Sequence, residues 1–215
     1  MTDERRRSPL AHRQALEDAS GRITIDEKPF RVMIAVRGDA DALDPAIESC
    51  CGIPLPRAVG KTTANARCRA IWLAPDEWLI MARDVEADLD PQVVAQATGA
   101  LHAQVADVTD YYTTIDISGP ATRDVLAKLT HYDTHPRAVS AGHAASTLFG
   151  HATAIFVMRD DEGGAGAAAE LIVRRSLADY LWCLAADGAR EFGLATQEPV
   201  GKVRLHLPHF EKQSA

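Results

Sequence analysis

The chain has 215 residues, 47% of them hydrophobic and 25% charged, with a formal net charge of −7. That length supports a substantial core in one or two domains, burying roughly 70% of the unfolded surface. The negative balance excludes the electrostatic footprint of a nucleic-acid binder or an anionic-membrane binder. No run of about 18 apolar residues is present to cross a bilayer.

Residues 1–20 carry Arg5-Arg6-Arg7 and then a short amphipathic piece from Leu10 to Ala19. They read as an arm, loosely ordered by itself and suited to docking on a partner. Met1 to Arg7 is charged with no apolar stretch behind it, so it does not read as a secretory signal, and a cytoplasmic location is expected. Residues 21–195 read as one α+β domain with halves at about 21–109 and 110–195, and residues 196–215 as a tail. In the first half, strands are expected at 23–25 and 30–36 around the Glu27-Lys28-Pro29 turn. Asp41 can cap a helix that ends at Gly52, ahead of Pro54 and Pro56. After a polar loop at 57–66, a hairpin at 67–73 and 77–81 turns at Pro75-Asp76, with Trp72 and Trp78 beside the turn. Asp90-Pro91 opens a second helix, and 105–108 is a short strand. This order is βαββαβ, the rhythm of ferredoxin-like units.

The second half repeats it. A strand at 112–117 leads through Gly119-Pro120 into a helix with Ala121, Val125, Leu126 and Leu129 on one face. Strands at 145–149 and 152–158 form a hairpin through Gly150-His151, where glycine suits the first central position of a type II′ turn. The run Leu171-Ile172-Val173 is of strand type. Ser176 followed by Asp179 reads as a capping box for a helix whose apolar face is Leu177, Tyr180, Leu181, Leu184 and Gly188. In the tail, Val203, Leu205 and Leu207 alternate and could add a strand to a partner.

The chemistry-bearing residues do not assemble into a catalytic motif. Gly60-Lys61-Thr62-Thr63 lacks the glycine that a phosphate-binding loop needs five positions earlier, where Leu55 stands. Gly163-Gly164-Ala165-Gly166 precedes a strand instead of following one, unlike a dinucleotide fingerprint. No G-x-S-x-G elbow surrounds Ser118. The histidines form no helical i, i+4 pair with a third ligand. Cys50, Cys51, Cys68 and Cys183 make no C-x-x-C pair and read as reduced packing residues.

Four segments carry a resemblance: Trp72-Leu73-Ala74-Pro75-Asp76-Glu77-Trp78-Leu79; Ser118-Gly119-Pro120 with Arg123-Asp124-Val125-Leu126; Asp133-Thr134-His135-Pro136-Arg137-Ala138; and Arg174-Arg175-Ser176 followed by Asp179-Tyr180-Leu181-Trp182. In that order, over about residues 30 to 193, they resemble the γ subunits of heterotetrameric sarcosine oxidases. The resemblance implies two related ferredoxin-like halves, similar to the folate-binding domain of the aminomethyltransferase superfamily. It also implies α, β and δ partner subunits. FAD, FMN, NAD, tetrahydrofolate and zinc are expected in those partners, and no catalytic, cofactor-binding or metal-binding residue in this chain. Such a complex demethylates sarcosine oxidatively to glycine, passes the one-carbon unit to tetrahydrofolate and makes hydrogen peroxide. In the related transferases an acidic residue follows the hairpin glycine, whereas Gly150 here is followed by His151-Ala152-Thr153-Ala154. The alternative is a stand-alone folate-binding one-carbon or repair protein. Trp72, Trp78, Arg174 and Arg175 are the candidate interface residues. The two tryptophans serve equally well as closure of the first half's core, and the arginines as a helix-shoulder salt bridge with Asp179 or Asp124.

Overall fold

A computed structural model of the chain describes residues 6–159 and 166–198. It has four layers: two helices, a five-stranded sheet, a six-stranded sheet and two further helices. The five-stranded sheet contains β3 (Met33–Gly38), β4 (Thr62–Ala64), β5 (Cys68–Ala74), β6 (Glu77–Ala82) and β7 (Ala103–Asp107), in the order β4-β5-β6-β3-β7. The six-stranded sheet contains β1 (Leu16–Glu17), β2 (Thr24–Lys28), β8 (Tyr112–Ser118), β9 (Ala144–Phe149), β10 (Ala152–Arg159) and β11 (Ala168–Arg174), in the order β1-β2-β8-β11-β10-β9. Every paired strand is antiparallel.

Strand alternation explains the layering, since successive side chains point to opposite faces. On β6, Trp78, Ile80 and Ala82 pack with Leu43, Ile47 and Val94 of helices α1 (Ala40–Cys51) and α2 (Pro91–Thr98). Leu79 and Met81, between them, pack instead against Ile155, Val157 and Ile172 of the other sheet. That sheet turns Phe156, Met158, Leu171 and Val173 outward onto helices α3 (Thr122–Leu129) and α4 (Ala178–Gly188). Each sheet is therefore buried on both faces, which is why the strands read as nearly continuous apolar runs.

The two halves are built alike. The series β3-α1-β5-β6-α2-β7 is the expected βαββαβ unit, with β4 added at the edge beside β5. The second half runs β8-α3-β10-β11-α4, with β9 added beside β10 in the same place. Its closing strand is not at its end. β2 takes that position beside β8, pairing Ile25 with Ile117 and Asp26 with Asp116. The expected boundary at 109/110 is thus crossed, because the strand at 23–25 belongs to the second sheet and the chain reaches the first only at β3. The crossing runs through Pro29-Phe30, where Phe30 takes φ 61°, a left-handed conformation uncommon for a bulky residue.

Residues 6–20, expected as an arm, lie on their own domain. Leu10 is buried in the core under α4, and β1 extends the sheet through Leu16 and Glu17. The guanidinium of Arg13 donates to Asp179 Oδ1 at 2.6 Å and to the Glu198 carbonyl at 2.7 Å. Burial of Leu10 and this ion pair overcome the segment's weak local propensity. The alternating Val203, Leu205 and Leu207 lie outside the described residues.

Local signals succeed where a side chain closes its own turn. Asp90 caps α2 through the Gln92 N–H at 2.8 Å. Asp39, two residues before the expected Asp41, caps α1 through the amides of Asp41 and Ala42. Gly150 takes φ 56° while His151 keeps a negative φ, as a type II′ turn requires. The capping box at Ser176 does not form. A 3-10 turn at Arg175–Leu177 precedes α4, whose first turn has no side-chain cap, and Ser176 is exposed. Asp179 remains in the first turn, where its charge suits the helix dipole.

Candidate functional site

Of the four predicted interface residues, Trp78 is fully buried, and its Nε1 donates to the Pro56 carbonyl at 2.8 Å. It closes the core of the first half and presents nothing to a partner. Trp72 faces it across the β5–β6 pair, next to a bulge between Trp72 and Ala74, and is half-buried at the margin of the same cluster. The arginines come together around Tyr111. Arg174 ends β11 exposed, its guanidinium 5.5 Å from the centre of the Tyr111 ring. The Arg175 amide donates to the Tyr111 carbonyl at 3.1 Å, and its guanidinium donates to the Arg7 carbonyl. Among the described residues neither arginine forms the expected bridge to Asp179 or Asp124; Asp179 is held by Arg13 and, at 2.9 Å, by His12.

Arg174 also lines a cleft of about 270 Å³ at one end of the space between the sheets. Leu73 and Glu77 come from the five-stranded sheet, and Tyr112, Ser146, Thr153 and Arg174 from the other. Burial raises the Tyr112 phenol above its ordinary value. Leu148, cross-strand neighbour of Thr153, is 55% exposed, and Tyr111 is 46% exposed. These are large apolar side chains to leave in water, and they flank the cleft.

The middle of the inter-sheet layer is ionic, which the sequence reading missed. Glu170 of β11 accepts from Arg31 Nη1 at 2.7 Å and from Arg69 Nη1 at 2.5 Å, with all three side chains at most 7% exposed. Asp116, opposite Glu170 on β8, accepts from Arg159 Nη2 with both oxygens, at 2.6 and 2.8 Å. Burial opposes the charge on Glu170, but Arg69 and Arg31 outweigh it and hold the carboxyl below its ordinary range. For Asp116 burial prevails and raises the carboxyl. The signal was a lone glutamate in the β11 run Ala-Ala-Glu-Leu-Ile-Val, on the same face as Ile172.

The remaining candidates stay structural. All four cysteines are free. The Cys51 thiol is pushed up by its hydrogen bond with Cys68 and by burial, and Cys68 is lowered by the same bond. Gly60-Lys61-Thr62-Thr63 leads into β4, and a Cβ at Gly60 would fall 2.5 Å from the His143 ring. That ring bonds the Tyr132 hydroxyl at 2.8 Å. Among the described residues no group of three or more His, Cys, Asp or Glu side chains could hold a metal ion. No helix among them is long and apolar enough to cross a membrane.

Residues 37–191 match the model of the family described as sarcosine oxidase, gamma subunit family. The sarcosine oxidase subunit gamma of Arthrobacter sp is 34% identical over 147 residues, which cover 66% of this chain and 71% of that one. Its counterpart from Corynebacterium sp. (strain U-96) is 33% identical over 149 residues, covering 66% and 72%. The fold overlays a chain of the heterotetrameric sarcosine oxidase from Corynebacterium sp. U-96 with a TM-score of 0.77 and 26% identity, over 90% of this chain and 99% of that one. The glycine cleavage system aminomethyltransferase T from Bartonella henselae overlays with a TM-score of 0.56 and 14% identity, over 77% of this chain and 46% of that enzyme. That likeness is one of fold.

Proposed function

Because this chain belongs to the sarcosine oxidase gamma subunit family, we propose that it acts as the non-catalytic γ subunit of a heterotetrameric, cytoplasmic sarcosine oxidase. In this reading the complex demethylates sarcosine oxidatively to glycine, transfers the one-carbon unit to tetrahydrofolate and makes hydrogen peroxide. The α and β subunits hold FAD, FMN, NAD and folate, the δ subunit holds zinc, and this chain contributes surface. The observation that carries the reading is the overlay on nearly the whole of one chain of a heterotetrameric oxidase.

The hairpin after β9 agrees with a non-catalytic role. At the place where the related transferases carry an acid, this chain has His151, whose amide donates to the Tyr180 hydroxyl at 3.0 Å. The turn is closed against α4, since a Cβ at Gly150 would lie 2.4 Å from that hydroxyl. Trp72, Arg174 and Arg175 remain interface residues in this proposal; Trp78 supports them from the core.

Co-expression with the α, β and δ subunits of such an oxidase tests it. The expected outcome is stoichiometric co-purification of this chain with an active oxidase. Partners that assemble and turn over at full rate without this chain would refute it. Saturable folate binding by the chain alone would instead favour the stand-alone one-carbon protein.

A further inference from the structure

The six-stranded sheet ends at β9, and this edge lacks the usual protection. Soluble proteins shield exposed edges with charge, proline, bulges or brevity. β1 has two residues and β4 three, and β7 carries Asp107. β9 is the uncharged six-residue run Ala-Ala-Ser-Thr-Leu-Phe.

The turn fixes which of its backbone groups face outward. A two-residue hairpin at Gly150-His151 makes Phe149 and Ala152 a hydrogen-bonded pair. Bonded pairs alternate with unbonded ones along an antiparallel ladder, so Ala144, Ser146 and Leu148 turn their N–H and C=O groups away from β10. One of these is occupied, because the Ala144 N–H donates to the Gly60 carbonyl at 3.2 Å. Among the described residues nothing pairs with the backbone of Ser146 or Leu148. The cleft described above begins at Ser146 and ends at Arg174, which forms no ion pair among the described residues.

We propose that β9 receives an extended segment of another oxidase subunit as an added strand, hydrogen-bonded to Ser146 and Leu148, with an acidic side chain of that segment reaching Arg174 across the cleft. This rests on the γ-subunit reading. A second copy of this chain is the poorer occupant, because β9 laid on β9 supplies no acid for Arg174.

The test uses the co-expressed complex and three variants. Ser146→Pro removes one outward donor at a position where edge proline is tolerated. Leu148→Lys places a charge on the edge, and Arg174→Glu reverses the anchor. Each variant is expected to melt within a few degrees of the wild-type chain and to bind its partners about tenfold more weakly or worse. Ser146→Thr should assemble normally. Folded Ser146→Pro and Leu148→Lys variants that assemble like wild type would overturn the edge proposal while leaving the γ-subunit reading intact. Normal assembly by Arg174→Glu would remove the acidic contact. An isolated chain that dimerises, and that Ser146→Pro makes monomeric, would assign the edge to a second copy and overturn the proposal. Wild-type chain that never joins the complex would defeat both readings together.

Discussion

Replacing Glu170 with glutamine tests the ionic layer between the sheets. The substitution keeps volume and one acceptor but leaves the Arg31 and Arg69 guanidiniums, 7% and 5% exposed, without their shared counter-charge. Two charge-assisted hydrogen bonds at about 1.5–3 kcal/mol each give about 3–6 kcal/mol. Breaking a buried ion pair by removing one partner costs about 3–5 kcal/mol. Both routes converge on about 4 kcal/mol, a large part of the roughly 5–15 kcal/mol that holds a domain folded. At about 2–4 °C per kcal/mol for a chain of this size, the melting midpoint should fall by about 8–16 °C. The pH dependence adds a second readout. The folded pKa of Glu170 is depressed, so its stabilisation is fully present above the unfolded value of about 4.3 and is lost as pH falls through the folded value. The stability difference between wild type and Glu170→Gln should therefore be flat at neutral pH and shrink below about pH 4.5. Thermal and denaturant unfolding across that range measure it. A loss under about 1 kcal/mol, or a difference that grows in acid, would refute the reasoning. Replacing Arg31, Arg69 and Glu170 together by apolar residues of similar volume should cost far less than the single change, since no buried charge is then left over.

The other predictions concern the core, the caps and the chemistry. Trp78→Ala should lose about 3–5 kcal/mol in denaturant unfolding of the isolated chain; a nearly unchanged midpoint would return this residue to the surface. Asp90→Ala and Asp39→Ala should each cost about 1 kcal/mol through loss of a cap, and Ser176→Ala less than about 0.5 kcal/mol. The reverse ranking would show that Ser176 does close α4. The purified chain should be colourless after gel filtration, and a flavin absorbance co-eluting with it would contradict the placement of flavins in partner subunits.

Much of the fold was legible because its signals are local. The hairpins at β5–β6 and β9–β10 announce themselves by turn residues, and Asp90-Pro91 by capping chemistry. The pairing of β2 with β8 was not legible, since a strand's own residues do not say which edge it joins and Glu27-Lys28-Pro29 reads only as a stop. Glu170, Arg69 and Asp116 look like solvent-facing positions until a second sheet covers them. Ser176 failed for the opposite reason: its pattern matched, but the 3-10 turn shifted the helix start past it. At the surface, Arg174 and Arg175 are adjacent in the chain itself, whereas the open edge of β9 depends on hydrogen-bond parity and on Gly60 reaching Ala144. No single-segment reading contains that.

The placement of β2 has a consequence during synthesis. Its partner β8 leaves the ribosome about 90 residues later, which at roughly 5–20 residues per second is a wait of about 5–20 s. Through that interval the nascent segment Thr-Ile-Asp-Glu-Lys has only the two-residue β1 as a native neighbour on its sheet. Three charges in five residues are what keeps such a waiting strand from adhering to others. Replacing Asp26, Glu27 and Lys28 with β-branched residues should therefore lower the soluble yield more than it lowers the stability of whatever chain survives to fold.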